Sequence, residues 1–122
     1  MLAKTLGVAA AALLAFSASS LAADIAAGKR VAVRCASCHS FAEGKNELGP
    51  SLFGVVGRKA GAMANFAYSP AMKNSAIVWT ADNLDAYLGG PKALVLGNHM
   101  GYQGVTKEGD RADLIAYLAT LK

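Results

Sequence analysis

The sequence predicts an all-α fold of several short helices wrapped around a bound group. Three observations carry that expectation. Four stretches show helical caps and helical spacing, with no convincing strand among them. The middle of the chain, Ser40 to Ala67, is rich in glycine and reads as one long connection. Finally, a chain of 122 residues with so little regular structure buries too little apolar surface to be comfortably stable on its own.

Taken in order, the chain opens with Lys4, an apolar run from Leu6 to Phe16 and the small residues Ser17 to Ala23, which is the order of a secretory signal peptide. Ser20 and Ala22 set small residues at the two positions a signal peptidase reads. Residues 1–22 are therefore expected to be removed, with cleavage after Ala23 as the neighbouring choice, leaving one domain over 23–122. An uncleaved membrane tether would need about 20 consecutive apolar residues, and Ser17, Ser19 and Ser20 interrupt the run.

Asp24 caps a first helix reaching about Arg34, with Ile25, Ala27 and Val31 facing inward and Gly28 at a point of close approach. Ser69 and Pro70 fit the cap and first position of a short helix ending about Asn74. Thr80 caps a third helix with Leu84, Tyr87 and Leu88 on one face, stopped by Gly89, Gly90 and Pro91. Asp110 opens the last, with Leu114, Tyr117, Leu118 and Leu121 as its inward stripe.

The formal charge of +4 excludes little by itself. Once Lys4 leaves with the leader, eleven basic residues stand against eight acidic ones, spread along the chain without the dense basic runs of nucleic-acid binders. Most of these cations read as solvated surface.

The chemistry concentrates at Cys35-Ala36-Ser37-Cys38-His39, a C-x-x-C-H sequence and the attachment signature of c-type haem. Two thiols about one helical turn apart reach the two vinyl groups of a porphyrin, and the next residue presents an imidazole to the iron. A thioredoxin-like pair would need a strand before the cysteines. A zinc site would have to recruit His99 beside Cys35, Cys38 and His39. A plain disulfide leaves His39 unexplained.

If His39 binds iron through one ring nitrogen, the other needs an acceptor. Pro50 offers a carbonyl at loop distance, although an ordinary turn explains that proline equally well. For the second axial position the candidates are Met63, Met72, His99 and Met100. Met100 lies in the extended segment Gly97-Asn98-His99-Met100-Gly101-Tyr102, far enough along to cover the opposite face. Met63 and Met72 also read as core-filling residues.

From Gly28 to Leu121 the chain resembles the class I cytochromes c, mitochondrial cytochrome c and its bacterial periplasmic relatives. The likeness rests on CASCH, GPSLFGVVGRKAG, FAYSPAMKNSAIVW, LDAYLGGPK, HMGYQGV and RADLIAYL. It implies one haem c attached at Cys35 and Cys38, His39 and Met100 as iron ligands, and Pro50 as the carbonyl partner of His39. It further implies Arg58, Tyr68 and Trp79 around a haem propionate, Tyr87 near the Met100 sulfur, and first and last helices that cross. Leu52, Leu84, Leu88, Val105 and Leu118 are the expected apolar wall.

The implied function is a monomeric periplasmic one-electron carrier, not an enzyme. It would take electrons from a quinol-oxidising complex and pass them to a terminal oxidase, reductase or photosynthetic reaction centre, docking transiently through cations such as Arg34, Lys92 and Lys107. The alternatives are a membrane-tethered carrier and a haem protein with a labile Met100 that binds a gas or peroxide. Two departures stand out. Leu96, Gly97, Asn98 and His99 replace a Pro-Gly-Thr-Lys approach to the methionine, leaving open whether Asn98 takes over the threonine's propionate bond. Met72 stands where an asparagine beside a buried water is usual.

Overall fold

The computed structural model describes residues 22–122, together with Leu2, Ala3 and Gly7. The expected leader and its cleavage site turn on residues outside these. Five α-helices run in order: α1 Ile25–Ala32, α2 Pro70–Lys73, α3 Ala81–Gly89, α4 Pro91–Leu94 and α5 Glu108–Leu118. A 3₁₀ turn, Val33–Cys35, prolongs α1. No named strand occurs among the described residues, only an isolated antiparallel bridge between Lys59 and Val78.

Local chemistry explains the helix starts. The Asp24 carboxylate accepts from the Ala27 amide at 3.1 Å, the Ser69 hydroxyl from Met72 at 3.1 Å, and the Thr80 hydroxyl from Asn83 at 3.2 Å. Each satisfies an amide that the first turn leaves without a helical partner. Proline at the first position of α2 presets the backbone there.

Three expectations need correction. Gly89, Gly90 and Pro91 do end α3, but Pro91 also starts α4, because its fixed φ suits a first helical position as well as a stop. The last helix begins at Glu108, two residues before Asp110, whose carboxylate pairs with Arg34 at 3.5 Å from within the first turn. Ile25, placed inward by spacing, is half exposed at 50%, since it precedes the contact that buries Gly28 and Val31.

That contact organises the molecule. α1 packs on α5 at Gly28, where an added Cβ would fall inside the Asp113 carbonyl. The Asp113 carboxylate accepts from the Asp24 amide at 2.8 Å, joining the start of α1 to the same turn of α5. Val31 and Ala32 meet Leu114, Ile115 and Leu118 in the core, with Tyr117 and Leu121 half-buried beside them.

Arg111 is no solvated cation. Its side chain, only 16% exposed, donates to Asp85 at 2.7 Å and to the Val105 and Thr106 carbonyls at 3.0 and 3.1 Å, binding α5 to α3 and to the segment between them. In the glycine-rich connection Asn46 acts as a clip: it accepts from Ser51 at 3.0 Å and donates to the Ala64 carbonyl at 2.9 Å.

Replacing Gly28 by alanine tests the packing of α1 on α5. A helical glycine-to-alanine change gains up to about 1 kcal/mol of helix propensity. The Asp113 carbonyl is backbone and cannot rotate aside, so overpacking of roughly 1–3 kcal/mol or more should win. The expected result is a lower urea midpoint for the holoprotein, and an unchanged or higher midpoint would refute the reading.

Candidate functional site

The 3₁₀ turn after α1, Met72 of α2, the inward faces of α3 and α5 and the irregular chain between them border a half-open cavity of about 660 Å³. Enclosed sites for cofactors and other small molecules typically run from about 300 to 1,000 Å³. Cys35, Cys38 and His39 line it, and so do Pro50, Arg58, Tyr68, Trp79, Tyr87 and Met100. Residues scattered over 66 positions of sequence thus meet around one space.

The C-x-x-C-H segment is closed into a turn, with the amides of Cys38 and His39 both donating to the Cys35 carbonyl, at 3.1 and 2.9 Å. Both thiols are free, and they come after a helix and its 3₁₀ turn where a thioredoxin-like motif would come after a strand. Burial pushes the Cys35 thiol above its ordinary range, against the opposing pull of the Arg34 guanidinium. It is therefore held as a thiol at neutral pH, which does not suit a reactive thiolate pair. Among the described residues no three His, Cys, Asp or Glu side chains gather as an ion-holding group, so the zinc set with His99 is not assembled.

His39 is fixed from two sides. Its Nδ1 lies 2.7 Å from the Pro50 carbonyl oxygen, which has no hydrogen to give, so Nδ1–H donates and Nε2 is the nitrogen with a free lone pair. Gly49, which the spacing of motifs does not single out, lies flat against the ring, and a Cβ there would overlap the imidazole. The amide of Gly49 donates to the Cys38 carbonyl at 2.7 Å, pinning this loop to the motif.

Of the four residues considered for the other axial position, Met72, His99 and Met100 border the cavity and Met63 does not. The Met63 amide donates instead to the Tyr68 hydroxyl at 3.1 Å, leaving the Tyr68 hydrogen available to a further acceptor. Met100 is half-buried, and the Tyr87 hydroxyl donates to its sulfur at 3.9 Å. Burial pushes the Tyr87 hydroxyl up to about 12, so it stays protonated across the neutral range. Trp79 packs on Tyr87 with ring centroids 4.8 Å apart.

Arg58 donates to the Ser51 and Phe53 carbonyls at 2.8 and 3.4 Å, which aims it from the loop toward the cavity. Burial lowers its pKa and the neighbouring Tyr68 opposes that shift. Guanidinium nonetheless remains charged in proteins, and a cation stands at this end. Leu52, Leu84, Leu88 and Leu118 line the wall as expected. Val105 does not. It is 1% exposed and lies behind the wall, because its amide donates to the Leu88 carbonyl at 2.7 Å and carries it into the core.

Residues 25–122 match the family model described as Cytochrome c. A cytochrome c from Euglena viridis is 46% identical over 89 residues, covering 73% of this chain and 87% of the relative. A cytochrome c2 from Rhodopila globiformis is 49% identical over 88 residues, covering 72% and 83% respectively. The solved structure of cytochrome cH from Methylobacterium extorquens superposes with a TM-score of 0.76 at 41% identity, covering 80% of this chain and 98% of that one.

The residues present fit a haem. Two thiols at the attachment spacing, an imidazole with one nitrogen already occupied and a thioether border a single apolar space with a cation at one end. Soft sulfur and imidazole donors are the set that suits haem iron.

Gly49→Ala tests how His39 is held. Its Cβ should push the imidazole off the Pro50 carbonyl, costing about 1–3 kcal/mol in unfolding of the holoprotein. The Nδ1 proton of His39 should also exchange faster by NMR. A proton as protected as in the parent chain would show that Gly49 does not hold the ring.

Proposed function

This chain belongs to the cytochrome c family, as a class I c-type cytochrome with one covalently bound haem c and the role of a monohaem electron carrier, and on that premise we propose that it shuttles single electrons between membrane-bound redox complexes with His39 and Met100 as axial ligands. The observation that carries the reading is that one cavity has the C-x-x-C-H residues on its lining together with Met100, whose sulfur already receives the Tyr87 hydroxyl. The cofactor, when bound, supplies a one-electron ferric/ferrous couple.

The protein's part is to hold the donors still. The Pro50 carbonyl keeps His39 in the tautomer that offers Nε2, and a hydrogen-bonded Nδ1–H makes the imidazole a stronger donor. The Met100 thioether is a soft ligand that favours the reduced state, and Leu52, Leu84, Leu88 and Leu118 keep the surroundings dry, which acts in the same direction. Tyr87 donates to the sulfur and restrains its rotation. Arg58, Tyr68 and Trp79 are the groups to accompany a propionate: a cation offsets its charge, and the hydroxyl and indole N–H donate to it. Were His39 and Met100 both to hold the iron, the chain would leave no position on it for a substrate, and for that reason we read a carrier and not an enzyme.

We place the protein in the periplasm after removal of residues 1–22. Its donor would be a quinol-oxidising complex and its acceptor a terminal oxidase, reductase or photosynthetic reaction centre. Docking would be transient and only moderately steered. Arg34 shares its charge with Asp110 at 3.5 Å, and the Lys92 ammonium donates to the Asn98 carbonyl at 3.4 Å, so among the cations named for docking Lys107 is the least committed.

Spectroscopy of the purified holoprotein tests the ligand assignment. The oxidised protein should show the weak absorption band near the red end that marks a methionine–ferric bond, and the reduced protein should not take up carbon monoxide. Met100→Ala should abolish the band, open the iron to carbon monoxide and lower the reduction potential, within the roughly 0.8 V over which axial ligands set haem potentials. Ready binding of carbon monoxide by the parent protein would favour a gas-binding or peroxide-binding haem protein. An intact mass that still contained residues 1–22 would favour the membrane-tethered form.

A further inference from the structure

The segment that presents Met100 is irregular between two core anchors, Val95 and Val105. From Val95 to Val105 no regular element is formed, Leu96 is 84% exposed, and Gly97 sits at φ +89. Yet Asn98 in its middle is 4% exposed. A buried carboxamide must satisfy two N–H donors and an oxygen, or cost stability.

The Asn98 side chain meets that requirement within the segment and the short helix α4 before it. Its Nδ2 donates to the Pro91 carbonyl and to the Val95 carbonyl, both at 2.9 Å, and its Oδ1 accepts from the Met100 amide at 2.8 Å. Pro91 and Val95 mark the first residue and the C-terminal boundary of α4; the Pro91 carbonyl already accepts from the Val95 amide at 3.0 Å, and the Asn98 side chain adds a second donor to it. The backbone adds Asn98 N to the Val95 carbonyl at 3.1 Å, and the Lys92 ammonium reaches the Asn98 carbonyl at 3.4 Å. One side chain thus ties the start of α4, its end and the backbone of Met100 into a single closed unit.

We propose that Asn98 is the positioning residue for Met100, setting the thioether by a side-chain staple across α4 in a loop that has no proline to stiffen it. The proposal rests on Met100 being the axial ligand. A carboxamide is required because three points must be joined at once: a hydroxyl has one hydrogen for the two carbonyls, and a carboxylate has none. Both Asn98 hydrogens are committed to Pro91 and Val95, so Asn98 does not serve a propionate, and that task is left to Arg58, Tyr68 and Trp79.

The test compares release of Met100 in holoprotein variants, read by the red-end band and by carbon monoxide binding to the reduced protein. Unpairing buried groups costs about 1–3 kcal/mol, so Asn98→Ala should weaken the band and raise the extent of carbon monoxide uptake by roughly 5- to 150-fold. Asn98→Ser keeps an oxygen that can accept from the Met100 amide and one hydrogen for one of the two carbonyls, without burying a charge, and should fall between the parent and Asn98→Ala. It also serves if the alanine variant does not fold. Asn46→Ala is the control, because Asn46 makes bonds of the same kind to Ser51 and Ala64 in another loop. It should lower the urea midpoint comparably and leave the band and carbon monoxide uptake unchanged.

If Asn98→Ala loses stability as Asn46→Ala does but keeps a parental band and parental carbon monoxide uptake, Asn98 is merely structural and the proposal is overturned. A parent protein that itself lacks the band overturns the assignment of Met100, and the proposal with it. That failure is thereby distinguished from one of Asn98 alone.

Discussion

The seating of α1 on α5 at Gly28 is the contact from which the rest of the molecule is hung. These two helices have the closest fit, because a residue without a Cβ lets the backbones approach until the Asp113 carbonyl occupies the space of a side chain. The approach fixes two things together. α1 continues through its 3₁₀ turn into Cys35, and α5 turns Leu114 and Leu118 toward the same interior. The attachment motif and the floor beneath it are consequently parts of one rigid pair. The Arg34–Asp110 pair at 3.5 Å lies on the surface and adds little, so van der Waals fit decides the geometry and charge does not.

Around that pair the chain is mostly irregular, and its polar backbone is satisfied by side chains instead of ladders. Ser51, fully buried, donates to the Ala42 carbonyl, accepts from the Phe53 amide and gives its own carbonyl to Arg58. Arg111 plays a similar part for the Val105 and Thr106 carbonyls, and Asn46 for Ala64. No buried side-chain nitrogen or oxygen among the described residues lacks a partner. An interior that is to be filled by a bound group cannot supply the pressure of a continuous apolar core, and specific hydrogen bonds shape the cavity instead.

How much of the molecule is legible in its sequence depends on how local each signal is. Caps at Asp24, Ser69 and Thr80 act within one turn, and the helices they start can be read directly. The C-x-x-C-H motif is legible because covalent attachment demands a fixed spacing. α4 is hidden, since Gly-Gly-Pro reads as a stop and its second meaning as a start is decided by tertiary contacts. Ile25 misleads because periodicity cannot tell where along a helix the partner begins. Val105 is apolar as expected but sits behind the wall and not on it, its position being set by one backbone bond to Leu88. The contact of Gly49 with the His39 ring escapes notice because a ring face leaves no mark in the sequence, and the role of Arg111 because two of its three partners are main-chain carbonyls and the third, Asp85, lies a helix away.

The α4 segment has a bearing on how such a chain can be altered. Between Pro91 and Met100 the hydrogen bonds of Asn98 close on the segment itself, while Leu96 stands almost wholly in water. The segment's polar order closes within itself, while Pro91 and Val95 anchor it to the core and α4 packs on α3. Its exposed positions, Leu96 above all, can be rewritten with little disturbance to the helical pair on the far side of the cavity.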